Sequence, residues 1–323
     1  METKTASKHI ARILGSALLC AALATLATLM MGCAHGHRAG SSTSPLTNSS
    51  QQQPVSGDVY GPTDDLKTEP AQNYGPAPIV THAVVLVLGP GQAKALAEEG
   101  VIRALSDAKV PIAGIYGVEV GALVGALYAW DGSINQLEWQ LMHYREEQFG
   151  VKESVLNRFL NSQPNDSDLK EALKKSFGEH AIEQSKIPMK ILVQPQGQAV
   201  RVYEKGPLRK IVRAALGGTS DTDFEAVVLD DTKVISAAAT KPFPIEDAKK
   251  FAEKSGAIVI AVDVLDPKTS DNFTELKNAD IVIQPAVQAI GPKDYDKRSD
   301  AVFAGKSATM DKMDEIKRLV NPS

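Results

Sequence analysis

Cysteine is nearly missing from this sequence, aromatics are sparse, and positive charge is not in excess. Two cysteines in 323 residues, Cys20 and Cys33, rule out a disulfide scaffold and a Cys-based zinc module. With 35 Lys and Arg against 39 Asp and Glu, the formal charge is −4. That excludes a nucleic-acid binder working by a global basic field, because phosphate neutralisation needs clustered cations. Aromatic residues are 5% of the chain, whereas hydrophobic residues are 43%. This is enough for a sizeable core in one large domain or two small ones. The chain shows no internal repeat, and no metal or cofactor is expected.

The one long apolar run stands at the N-terminus. Lys4, Lys8 and Arg12 precede an uncharged stretch, ILGSALLCAALATLATLMMG, over residues 13–32. A basic start, an apolar segment and small residues at its end form a secretory signal. The segment closes with Met30-Met31-Gly32-Cys33, which resembles the bacterial lipobox, where a signal peptidase cuts before a cysteine that then carries lipid. Residues 1–32 are therefore expected to be a lipoprotein signal peptide. An uncleaved anchor is the alternative, since about 20 apolar residues can just span a bilayer. Ala34 and His35 follow the cysteine with no Asp, which by the same resemblance implies an outer-membrane lipoprotein of a bacterial envelope, facing the periplasm. Attachment would run through lipidated Cys33, as more than one acyl chain is needed for stable anchoring. Removal of Cys20 with the leader leaves no free thiol, which suits an oxidising compartment. Residues 33–81 are rich in Ser, Gln, Gly, Asn and Pro and lack apolar periodicity, so they read as a disordered tether. His35 and His37 within it are too unstructured a pair for a metal site.

Order is expected from His82, in one domain over residues 82–323. Residues 83–88 (AVVLVL) form a short continuous apolar run, as a buried parallel strand reads. Further strands are predicted at residues 111–116, 189–193, 199–203, 226–229, 233–235, 257–262 and 281–283. Helices are predicted at residues 92–108, 121–130, 136–148, 167–176, 207–216, 245–255 and 298–320. Strands alternating with helices argue for an α/β fold with a mostly parallel sheet covered on both faces. Asp230-Asp231 reads as a hairpin turn, and Asp263 at a strand end is a candidate polar site residue. Gly89-Pro90-Gly91 matches neither of the common phosphate-loop patterns.

Two Gly-punctuated turns carry the functional argument. The first strand ends in Gly89-Pro90-Gly91-Gln92-Ala93-Lys94-Ala95, and the second in Gly117-Val118-Glu119-Val120-Gly121. Together with residues 186–215, 234–264 and the C-terminal stretch beginning ADIVIQPAVQAIG, these resemble the patatin-like phospholipase family over about His82 to Val320. The resemblance implies a three-layer α/β/α fold and a lipid acyl hydrolase ancestry. It also implies a Ser–Asp dyad, with the serine on a tight strand-to-helix elbow and loop N–H groups holding an oxyanion. Here the elbow serine position is Glu119, and the dyad aspartate position is Ser236, in Ser236-Ala237-Ala238. In the loop, Pro90 has no N–H to donate, and the downstream glycine is Ala95. Lys94 matches a basic residue of the family loop. Trp139 and Tyr144 fall on the helix that lines the family's substrate mouth.

No catalytic residue of the family kind is therefore expected at the degenerate positions Glu119 and Ser236. Three roles compete for them. Glu119, at a helix N-terminus where an anion is favoured, fills the anion site itself and accepts a hydrogen bond from Ser236. Alternatively, Ser236 is a nucleophile with Glu119 as its base, which would make the chain an unusual lipid acyl hydrolase. In the third, Glu119 attacks directly, which needs a water-activating histidine among His82, His143 and His180. The first role gives a membrane-anchored, non-hydrolytic lipid-binding or scaffold protein, with an acyl lipid or a protein as partner and no nucleic acid. An open pocket beside Glu119 would favour lipid, and a cleft plugged by Phe243 or Leu216 would favour a protein partner.

Overall fold

The computed structural model describes residues 82–149, 166–217, 224 and 226–321. The expected leader, Cys33, the His35–His37 pair and the tether lie outside the described residues. Among the described residues no helix is long and apolar enough to cross a membrane.

The first strand, β1 (Val84–Leu88), is buried along its whole length. It hydrogen-bonds in parallel to β2 (Ile112–Gly117) on one side and to β7 (Ile258–Val262) on the other. Beyond β7 lies β8 (Ile281–Ile283), and beyond β2 lies β3 (Met189–Pro195), both parallel to their neighbours. Three antiparallel strands complete the sheet: β4 (Arg201–Tyr203), β5 (Val227–Leu229) and β6 (Thr232–Ser236). The order is β5-β6-β3-β2-β1-β7-β8, with β4 paired to β3. All eight strands read from the sequence are present, with ends displaced by one or two residues.

Alternate residues of β1 divide between two cores, as the period of two requires. Val84, Leu86 and Leu88 face the larger one. It is built with α1 (Ala97–Asp107), α2 (Val120–Asp131), α3 (Ile134–Leu141), α4 (Ser167–Phe177) and α5 (Leu208–Ala215). Val85 and Val87 face the smaller core, closed chiefly by α6 (Ile245–Ser255). The short α7 is Pro267–Ser270, and α8 (Arg298–Asp311) and α9 (Met313–Val320) end the chain on the larger side.

Three predicted helices are corrected. The helix expected over 92–108 opens as a 3₁₀ turn, Gln92–Leu96, before α1 begins. The one expected over 136–148 stops at Leu141. Phe149 leaves it to stack on Tyr295, with ring centroids 3.8 Å apart, and the intervening chain forms turns. The C-terminal helix breaks at Lys312 into α8 and α9.

Candidate functional site

The site forms where β1, β2 and β6 end together. β2 turns into α2 at Glu119, whose backbone is held at φ 57°, ψ −123°, a conformation non-glycine residues rarely adopt. The flanking glycines make the turn possible. A Cβ on Gly117 would lie 2.5 Å from Ala122 Cα, and one on Gly121 would lie 2.6 Å from the carbonyl oxygen of Leu88. The elbow is thus intact around a side chain that is not serine.

The Glu119 side chain is 5% exposed, and it reaches across to the loop after β1. Its Oε2 accepts the backbone N–H of Gly91 at 2.7 Å and that of Gln92 at 3.1 Å. Pro90 donates nothing, so these two N–H groups are the donors that the loop turns toward the elbow. Gln92 takes φ 51° to do so. An oxyanion hole works when free donors stand 2.7–3.1 Å from the position a developing oxyanion will take. Here a carboxylate of the protein already stands at that distance from both donors.

Ser236 is buried at the end of β6, opposite Val193 of β3. Its Oγ accepts the N–H of Ala238 at 3.2 Å, closing its own turn. The expected hydrogen bond from Ser236 to Glu119 is not formed among the described residues. Two loop N–H groups satisfy the carboxylate in its place. Beside the pair opens a cleft of ≈ 640 Å³, walled by Ile235, Ala238, Leu265 and Phe273 as well as by Glu119 and Ser236. Lys94 lines it too, with Nζ 3.3 Å from Asp266 Oδ2. Phe243 and Leu216 are core residues and do not plug it. Phe243 instead packs so close behind Gly89 that a Cβ there would meet its ring at 2.3 Å.

Other candidates are placed elsewhere. His82 bonds the carbonyl of Gly256, His143 the carbonyl of Trp139 (2.8 Å), and His180 stacks on Trp130 at 4.1 Å. None of the three lines the Glu119 cleft. Asp263 is buried and satisfied by Leu265 N–H, the Ser270 hydroxyl and the Gln284 amide, at 3.0–3.1 Å. That is a strand-end clamp and not a free acid. Asp230 and Asp231, at φ 49° and 59°, make the expected hairpin turn between β5 and β6. Tyr144 is buried, with its hydroxyl donating to Ser176 Oγ at 2.9 Å, and Trp139 is exposed; both line a separate cleft with Gln136 and Glu171.

The sequence reading missed Glu98. It stands in the first turn of α1, fully buried, with neither carboxyl oxygen in a hydrogen bond. Burial drives its pKa well above the ordinary carboxylate value, the charge of Glu119 pushes it further up, and the nearby Gly89 N–H acts in the opposite direction. Glu98 is therefore an acid beneath the loop whose protonated form is favoured by its surroundings. Its sequence signal was a glycine. Gly100 allows α8 to approach α1 so closely that a Cβ there would meet Val302 O at 2.0 Å, and that crossing seals this turn from water.

Comparison with known proteins shows what the chain as a whole is similar to. The sequence model of the Patatin-like phospholipase family matches residues 86–253, just over half the chain. Patatin-like phospholipase domain-containing protein 7 of Rattus norvegicus is 26% identical over 186 residues, 57% of this chain and 14% of that protein. Patatin-like phospholipase domain-containing protein 6 of Homo sapiens is likewise 26% identical over 186 residues, 57% of this chain and 13% of that protein. The chain thus spans only a small fraction of these curated relatives. Among solved structures, VipD from Legionella pneumophila superposes with a TM-score of 0.46 at 11% identity, covering 73% of this chain and 67% of that one.

Proposed function

The chain belongs to the patatin-like phospholipase family, and from that premise we propose that it holds an acyl lipid without hydrolysing it, tethered to a bacterial envelope membrane through Cys33. One observation carries this reading: the Glu119 carboxylate sits on the N–H groups of Gly91 and Gln92, where a hydrolase of this architecture needs empty donors. Losing a single oxyanion donor costs about 100-fold or more in rate. Here both donors are taken, and the elbow offers no hydroxyl. The cleft itself remains. Its ≈ 640 Å³ and its largely apolar wall suit an acyl chain. Because the cleft is open and Phe243 lies in the core, lipid is favoured over a protein partner seated on a filled-in surface. Outer-membrane attachment facing the periplasm completes the reading and rests on the Met30–Cys33 pattern and on the Ala34-His35 that follows it.

The test pairs hydrolysis with binding. Purified full-length chain is incubated with a phosphatidylethanolamine carrying a fluorescent acyl chain, and both fatty-acid release and retained fluorescence are measured. Wild type is expected to retain the lipid and release no fatty acid, and Ala238→Trp, which fills the cleft, is expected to abolish retention. Fatty-acid release by wild type that disappears in Ser236→Ala or Glu119→Ala would make the exchanged pair a working site and overturn the proposal.

A further inference from the structure

A second cleft, of ≈ 470 Å³, lies between α4, α5 and the edge strand β5, and it shares no lining residue with the Glu119 cleft. Its wall is unlike the rest of the molecule. In a chain of net charge −4, it presents Lys170, Arg209, Lys210 and Arg213 against one carboxylate, Asp166. Asp166 is shared: it pairs with Lys170 at 2.8 Å and with Arg213 at 2.7 Å. Glu179 takes the outer edge of Arg209 from an exposed position, at 2.5 and 2.7 Å to Nη2. The inner nitrogen of that guanidinium, Nε, is buried and has no hydrogen-bond partner. Lys210 has no ion pair among the described residues and is exposed.

One of these cations, Arg213, is also held in place. The Arg213 guanidinium is 6% exposed, is fixed by Asp166 through Nε at 2.9 Å, and lies 5.0 Å over the Phe224 ring. Facing them is an apolar wall, Leu173 and the β5 residues Val227 and Val228, the last of which is 59% exposed. Planar guanidinium forks on ordered stems match the tetrahedral oxygens of phosphate better than any other common anion-binding group. The apolar wall adds room for a hydrocarbon substituent beside that charge. We infer that this cleft is a binding site for a phosphate-bearing ligand, with the phosphate between Arg209, Lys210 and Lys170 and any apolar part on Leu173 and Val227. A phospholipid headgroup and a soluble phosphate both meet that chemistry, and the inference stands whether or not the Glu119 cleft turns over lipid.

Amine acetylation of the full-length chain in dodecyl maltoside micelles, which carry no phosphate, gives the test. Labelling rates are read by mass spectrometry at Lys170 and Lys210, with Lys186 and Lys312, neither of which lines the cleft, as references. One arm adds phosphatidylglycerol to the micelles and another adds inorganic phosphate to the buffer. At ten times the dissociation constant, labelling at Lys210 is expected to fall about tenfold while the reference lysines are unchanged. Protection in the first arm alone assigns a lipid headgroup, and protection in the second assigns free phosphate. Arg209→Gln is expected to remove the protection, with the unliganded labelling of the two reference lysines as in wild type. Equal labelling with and without both ligands, equal protection of the reference lysines, or undiminished protection in Arg209→Gln would each overturn the inference.

Discussion

Glu98 and Glu99 are neighbours in the first turn of one helix, both almost fully buried, yet they live in opposite electrostatic surroundings. Glu99 faces α8. Arg298 grips it with two nitrogens, Nε at 2.8 Å, and also reaches the carbonyl of Glu138 at 3.3 Å. Arg103 bonds Glu138 in turn, so the ion pairs weld α1, α3 and α8 into one face. Glu98 faces the loop, and among the described residues no cation bonds it. Its nearest electrostatic partner is another acid, Glu119. The same residue type, one position apart, thus serves either packing or the site. An acid that meets a guanidinium holds helices together. Burial raises the pKa of both acids, but at Glu99 a guanidinium opposes the rise, whereas at Glu98 the charge of a second carboxylate adds to it.

The largest expected effect breaks the Glu99 side. Arg298→Ala leaves a buried carboxylate without its cation and should cost about 3–5 kcal/mol in denaturant unfolding. Replacing both partners, with Glu99→Gln and Arg298→Met, should recover most of that loss, because the uncompensated charge goes too.

The next effect is a pH dependence on the Glu98 side. Its folded pKa lies well above the unfolded one, near 4.5. The folded state therefore binds more protons as the unfolded chain ionises, and stability falls as pH rises above that value. The slope is about 1.4 kcal/mol per pH unit until the folded group itself titrates. Glu98→Gln should remove that slope, matching wild type below pH 4.5 and exceeding it at pH 7 in thermal unfolding. Unchanged pH profiles would mean that Glu98 has found a partner in solution.

The smallest effect sharpens the coupling between the two acids. Glu119→Gln keeps an oxygen for Gly91 and Gln92 but removes the charge facing Glu98. Since the Glu119 charge is the second cause of the raised value, after burial, the pH at which Glu98 titrates should move down but stay above the ordinary range. A carboxyl-carbon NMR titration reads the shift.

Much of the fold was legible because buried parallel strands are continuous apolar runs, and β1, β2, β7 and β8 are of that kind. The break at Lys312 was not. Ala301, Gly305, Thr309, Met313, Ile316 and Val320 are all buried and continue one helical stripe through it, so periodicity carried no sign of the interruption. The end of α3 was hidden for a different reason: the stacking of Phe149 on Tyr295 is a contact across 146 positions of sequence. At the site, the pattern G-x-E-x-G was enough to expect Glu119 in the anion position. Which N–H groups would receive it, and that Ser236 would turn to Ala238, depended on loop conformation. Glu98 escaped notice because an acid in a first helical turn usually needs only the helix dipole to explain it. Its burial follows from Gly100 and Gly305, which let two helices touch backbone to backbone.

The measurement that bears most directly on the central claim is the amide proton chemical shift of Gly91 and Gln92 in the isotopically labelled chain, compared between wild type and Glu119→Ala. If the carboxylate occupies the loop donors, both amides lie far downfield in wild type and move upfield together when it is removed. Amide shifts that are ordinary in wild type and indifferent to the substitution would mean that the donors are free, and that the site is open to an oxyanion after all.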